Sequence, residues 1–143
     1  DRITSDPTLV LGGREAGATP WYSIDGGTTW SLWFGPREGA NVLLVRQIDA
    51  AGNVSAATPF SFTLDRVRPP VPELVPQPGR RGEFTVAGLP PRTRLEYSVG
   101  RLPWTTEPVT TLGRRGTMRV RFVDVAGNAS AASKPMRGVI RAG

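Results

Sequence analysis

Apolar and polar residues alternate in short runs along this chain, and glycines and prolines interrupt the runs before any becomes long. The pattern predicts strands at Thr8–Leu11, Ala18–Ile24, Thr28–Phe34, Asn41–Ile48 and Ser55–Leu64. In the third run Trp30, Leu32 and Phe34 share one face, and Thr29, Ser31 and Trp33 the other. In the last, Phe60, Phe62 and Leu64 alternate with Ser61 and Thr63. A weaker second series follows at Glu83–Ala87, Leu95–Val99, Thr117–Val123 and Met136–Ile140. No amphipathic stretch exceeds two turns, so no helix is expected.

The two series are copies. Residues 46–58 read RQIDAAGNVSAAT and residues 121–133 read RFVDVAGNASAAS, with eight of thirteen positions identical at an offset of 75. The same offset carries Tyr22-Ser23-Ile24 onto Tyr97-Ser98-Val99 and Gly13 onto Gly88. One offset across three separated segments marks a tandem repeat of about 70 to 75 residues. The expected modules are 1–67 and 68–143. Between them Asp65 to Pro72 contains three prolines in four positions, which predicts an extended, semi-rigid joint holding the modules end to end. Turn signals every 8 to 12 residues suggest six or seven short strands per module and an antiparallel β-sandwich. The ends at Asp1 and Gly143 suggest a piece of a longer chain.

Composition narrows the chemistry. There is no histidine and no cysteine, which removes the commonest acid–base residue, the thiol nucleophile and disulfide staples. No phosphate loop, nucleophile elbow or zinc-protease motif occurs, so catalysis is not expected. No apolar run approaches 18 residues, so no membrane-inserted segment is expected. The net charge of +6 is uneven: residues 1–67 carry −2 and residues 68–143 carry +8. The arginines of the second half stand singly or in pairs (Arg80-Arg81, Arg114-Arg115) without interleaved aromatics. Solvated strand faces explain them better than nucleic acid does.

The run Tyr22-Ser23-Ile24-Asp25-Gly26-Gly27-Thr28-Thr29-Trp30, followed by Arg46-Gln47-Ile48-Asp49-Ala50-Ala51-Gly52-Asn53-Val54-Ser55, resembles bacterial immunoglobulin-like repeats. These occur in large surface adhesins and biofilm-associated proteins. The likeness covers most of residues 1–67 and less of 83–141; Asp-x-x-Gly-Asn-x-Ser, present in both copies, is its most specific part. It implies an all-β chain of two tandem immunoglobulin-like (fibronectin III-like) antiparallel sandwiches, located extracellularly or on a bacterial cell surface. It implies a non-catalytic structural spacer in cell adhesion, whose partners are neighbouring repeats of the same kind. The alternatives are a module that binds glycan or a host or cell-surface protein, and an accessory pair of a secreted enzyme.

Each candidate site has a structural and a functional reading. Asp49, Gly52 and Asn53, like Asp124, Gly127 and Asn128, suit a hairpin in which the carboxylate accepts backbone N–H groups. The adhesin likeness implies interdomain calcium instead, with Asp65 at the joint joining Asp49 and Asp124. Calcium takes six to eight oxygens, and one carboxylate per loop is few, while Arg66 and Arg68 flank Asp65 where acids would serve. The hairpin reading is favoured, and no cofactor is expected. The segment Ser23-x-Asp25-x-Gly27-x-Thr29-Trp30 also resembles the Asp box of sialidase-type propellers, a structural turn, with Trp30 packed behind it. Trp30 aligns near Trp104 and is expected in the core. Trp21 and Trp33 face Glu96 and Pro108 at the offset of 75, so they are the candidates for a binding platform.

Overall fold

The computed structural model describes residues 2–113 and 116–141, which leaves the Arg114-Arg115 pair outside the described residues. The chain is all-β, with no helix among the described residues. It divides into two compact units, Asp1–Arg66 and Val67–Gly143.

The described residues of the first unit form four strands: β1 (Ile3–Thr4), β2 (Thr19–Ser23), β3 (Gly39–Ile48) and β4 (Thr58–Leu64). They form one sheet in the order β1-β4-β3-β2. β3 is antiparallel to β2 and to β4, whereas β1 lies parallel to β4. Alternation along β3 sends Leu43 and Val45 to one face and Val42, Leu44 and Arg46 to the other. Leu43, Phe62 and Leu64 are buried on the first face, where Tyr22, Val45 and Phe60 pack against them. Leu9 and Phe34 cover this cluster from the connecting segments. Phe34 meets Tyr22 at 6.1 Å and Phe62 at 6.4 Å between ring centroids, the second edge-on. Each fully buried side chain of this size contributes about 1.5–3 kcal/mol of hydrophobic stabilisation.

The described residues of the second unit form five strands: β5 (Glu73–Pro76), β6 (Glu83–Ala87), β7 (Thr93–Val99), β8 (Met118–Asp124) and β9 (Val139–Ile140). They form a three-stranded sheet, β5-β6-β9, and a two-stranded sheet, β7-β8. Tyr97, Met118, Val120 and Met136 form the buried cluster. Leu74, Phe84 and Ile140 of the three-stranded sheet pack against it. Both sheets therefore serve one core.

Several expected elements change. The described residues hold four and five strands per unit, where six or seven were expected. The pairing is mixed, because β1 on β4 and β9 on β6 are parallel. Thr8–Leu11 is not a strand: Asp6 turns the chain by accepting the Thr8 N–H at 2.8 Å, and Leu9 packs as a single anchor. Thr28–Phe34 is not a strand either; only Ser31 bridges to Tyr22. Alternation fails there. Phe34 joins the core, Trp30 lies on the opposite face of the sheet, and Leu32 is 58% exposed. β5 lies beyond the expected joint, confined between Pro72 and Pro76, so its four residues carry almost no periodic signal.

Candidate functional site

The repeated hairpins are the same structure twice. The Asp49 N–H donates to the Asn53 carbonyl at 3.0 Å, and the Asp124 N–H to the Asn128 carbonyl at 3.1 Å. Oδ1 of Asp49 accepts the N–H groups of Ala51 and Asn53, while Oδ2 accepts the Asn53 side-chain amide. Asp124 receives the Asn128 N–H and side-chain amide in the same way. Gly52 and Gly127 sit at φ of 91° and 92°, a region that disfavours any residue with a Cβ. Past each turn, Ser55 and Ser130 hydroxyls accept the N–H of Gln47 and Phe122. The bonds from the Asn53 side chain and N–H hold the Asp49 carboxyl below its ordinary pKa.

Asp25 organises a tighter turn. Its carboxylate accepts the Thr29 hydroxyl at 2.6 Å, the Thr29 N–H at 2.9 Å and the Ser23 hydroxyl at 2.7 Å. Ser23 Oγ in turn accepts the Gly27 N–H, and the Trp30 indole N–H donates to the Gly27 carbonyl at 3.0 Å. These bonds, led by the Thr29 hydroxyl, lower Asp25 from 3.8 to about 2. A depressed carboxylate adds stability that is present above pH 3.8 and lost as the pH falls towards 2. Thermal melts between pH 5 and pH 2 should therefore show a fall in that window that is smaller in Asp25→Asn. An identical fall in the variant would mean that Asp25 is not the group being titrated. In the second unit Gly100 stands at this position, and the Ser98 hydroxyl donates to the Leu102 carbonyl instead.

The metal candidates each have a local structural role. Asp49 and Asp124 belong to separate units, each engaged in its own turn. Asp65 ends up beside β1, with its N–H donating to the Thr4 carbonyl. Arg66 pairs with Glu38 at 3.4 Å and donates its N–H to the same carboxylate. Among the described residues no group of three or more acids is placed to hold a metal ion.

The tryptophans separate by environment. Trp33 is 76% exposed, and its six-membered ring lies over Gly35, where a Cβ would fall 2.2 Å from the ring. Ile24 and Val42, also strongly exposed, line the same cleft of about 420 Å³ as Trp33 and Trp30. Trp30 is half-buried, with the Arg46 guanidinium 4.0 Å from its ring centroid. Trp21 is half-buried and directly opposite Arg46 in the register. The bridges Tyr22–Ser31 and Tyr97–Thr105 show that the second unit is one residue shorter in this turn, so the local offset is 74. Trp30 thus corresponds to Trp104, and Trp33 to Glu107 and not to Pro108. Arg121 lies over Trp104 at 4.4 Å, repeating the Arg46–Trp30 contact.

No family model and no curated protein matches the chain.

Proposed function

We propose that this chain is a pair of tandem, non-catalytic immunoglobulin-like β-sandwich modules that extend a larger extracellular or cell-surface protein of the adhesin kind. The observation that supports it most is the recurrence, in two compact units, of the Asp–Gly–Asn hairpin and its following serine, with the same asparagine-to-aspartate and strand-to-serine hydrogen bonds. The repetition duplicates a scaffold, whereas an enzyme concentrates unusual groups at one place. Side chains from both sheets of the second unit share one core, as a sandwich requires. In the first unit, Leu9 and Phe34 cover the sheet where a sandwich would place its second layer.

Pulling the chain from its two ends tests this reading. Two unfolding steps are expected, releasing lengths close to those of 66 and 77 residues at roughly 3.6 Å per residue. A single step releasing the whole length would overturn it.

A second reading has its own support. The first unit also offers a recognition surface, because Trp33 is held exposed by Gly35 beside other exposed apolar side chains. Apolar surface gathered in this way marks a contact site in a monomeric protein.

A further inference from the structure

One strand pair presents opposite characters in the two units. In the first unit β2 and β3 place Trp21 opposite Arg46 and Ser23 opposite Leu44, with Val42 next along the same face. In the second unit β7 and β8 place Glu96 opposite Arg121 and Ser98 opposite Arg119, with Thr117 next. At an unchanged offset of 75, Trp21 becomes Glu96, Leu44 becomes Arg119 and Val42 becomes Thr117. The arginine and the serine (Ser23, Ser98) are kept.

The two arginines differ in what they hold. Arg121 donates Nε and Nη2 to Oε2 of Glu96 at 2.9 and 2.7 Å, and Arg94 occupies the other oxygen at 3.0 Å. Burial alone would raise Glu96, but the bonds from Arg121 and Arg94 outweigh it and keep the carboxyl below its ordinary value. Arg46 has the same aromatic support from Trp30 and, among the described residues, no carboxylate partner. Its Nε is buried without a hydrogen-bond acceptor. Its terminal nitrogens also lack an acceptor among the described residues. A buried donor left unmade is unfavourable, and native structures leave few of them.

We propose that this face of the first unit docks a partner protein, with a carboxylate of the partner taking the terminal nitrogens of Arg46 between apolar contacts on Trp21, Leu44 and Val42. The second unit shows the filled form of the same arrangement, with a glutamate as the acid. The apolar surround fits a protein partner: Val42 is 71% exposed at the centre of a strand, and tryptophan and arginine are the side chains that most often anchor protein interfaces. Charge fixes the partner's sign. Arg46 has lost the acid that its counterpart keeps, so an incoming carboxylate meets a fork of donors with no competitor. This proposal rests on the recognition reading of the first unit and supplies its chemistry.

The test follows the side-chain signals of Arg46, Trp21 and Trp30 by NMR while a capped tripeptide, leucine–glutamate–phenylalanine, is added to the full chain. Saturable shifts are expected at all three, and the glutamine analogue should bind about tenfold more weakly. Arg46→Gln should abolish that preference. Trp21→Glu should abolish binding, since the new acid occupies Arg46 as Glu96 occupies Arg121; an unchanged melting temperature shows that the variant folds. Should Trp21→Glu not fold, Leu44→Arg, which copies the second unit, should weaken binding by about tenfold. Equal affinity for the two peptides, no binding of either, or full binding by folded Trp21→Glu would overturn the proposal. Tighter binding of oligogalacturonate than of the tripeptide would replace the protein partner with an acidic polysaccharide. Self-association lost in Arg46→Gln would replace it with a second copy of this chain. Two unfolding steps without peptide binding would remove only the docking proposal. One step with binding intact would remove only the extension reading.

Discussion

Phe122→Ala is expected to cost about 3–5 kcal/mol, as truncation of a large buried aromatic does. Phe122 is 1% exposed and is the largest fully buried side chain among the described residues. It stands on β8 opposite Leu95, and its N–H is held by Ser130 Oγ at 3.0 Å. The second unit has 77 residues, and domains carry roughly 0.05–0.15 kcal/mol of stability per residue, or about 4–12 kcal/mol here. The loss is therefore comparable with the whole. Urea unfolding followed through Trp104 fluorescence should show the midpoint collapse or no folded baseline at all. Phe122→Leu keeps most of the volume and should cost under about 1.5 kcal/mol. A loss below about 1 kcal/mol for the alanine variant would mean that the side chain is not packed as described.

Phe122 also marks a limit of the repeat. Its counterpart at the offset of 75 is Gln47, whose side-chain Oε1 accepts the Glu15 N–H at 3.0 Å and whose side-chain Nε2 reaches the Gly13 carbonyl. The same backbone position is greasy core in one unit and a polar clasp in the other. The long strands and both Asp–Gly–Asn turns were legible because their causes are local: period-2 alternation or, in β3, a continuous apolar run, and side chains bonding their own turn. β9 lies inside the expected Met136–Ile140, whereas β1 has two residues and β5 has four, so their existence depends on a distant strand accepting them. No periodicity can announce that. The run from Trp30 to Phe34 misled for the opposite reason. It alternates well, but only Ser31 is bridged, and the chain bends at Leu32 before the alternation can act.

The candidate face was half legible. Trp21 stood out because the repeat replaces it with Glu96, and the exposure of Trp33 agrees with its expected outward direction. Arg46 was missed. The signal existed in the sequence, since the arginine is retained at 46 and 121 while the residues at 21 and 96 change type. Reading it required knowing that positions 21 and 46 lie opposite each other, and cross-strand register is a tertiary fact. The same holds for the tryptophan correspondence, which shifts to 74 only because the second unit's turn is one residue shorter.

Gly138→Ala is expected to cost about 3 kcal/mol, the upper part of the ordinary range for overpacking. The position needs space and not a special torsion: it is not among the positive-φ glycines. A Cβ there would fall 2.4 Å from the Gly82 carbonyl oxygen and 2.6 Å from Cε2 of Phe84. The first obstacle is backbone and cannot rotate away. The second belongs to a side chain that packs on the core, so moving it disturbs the contact with Met118 and its neighbours. The same Gly82 carbonyl accepts the Val139 N–H at 2.9 Å, which begins the parallel docking of β9 on β6. Pushing the chains apart at this point therefore breaks the attachment of β9 as well as crowding the core. Gly113→Ala is the matched control, because nothing lies within 4 Å of its added Cβ; it should change stability by less than about 0.5 kcal/mol. Urea midpoints of the two variants decide the matter. Equal midpoints would mean that β9 does not press on β6 closely enough to exclude a methyl group, and the closure of the second unit by its last strand would have to be abandoned.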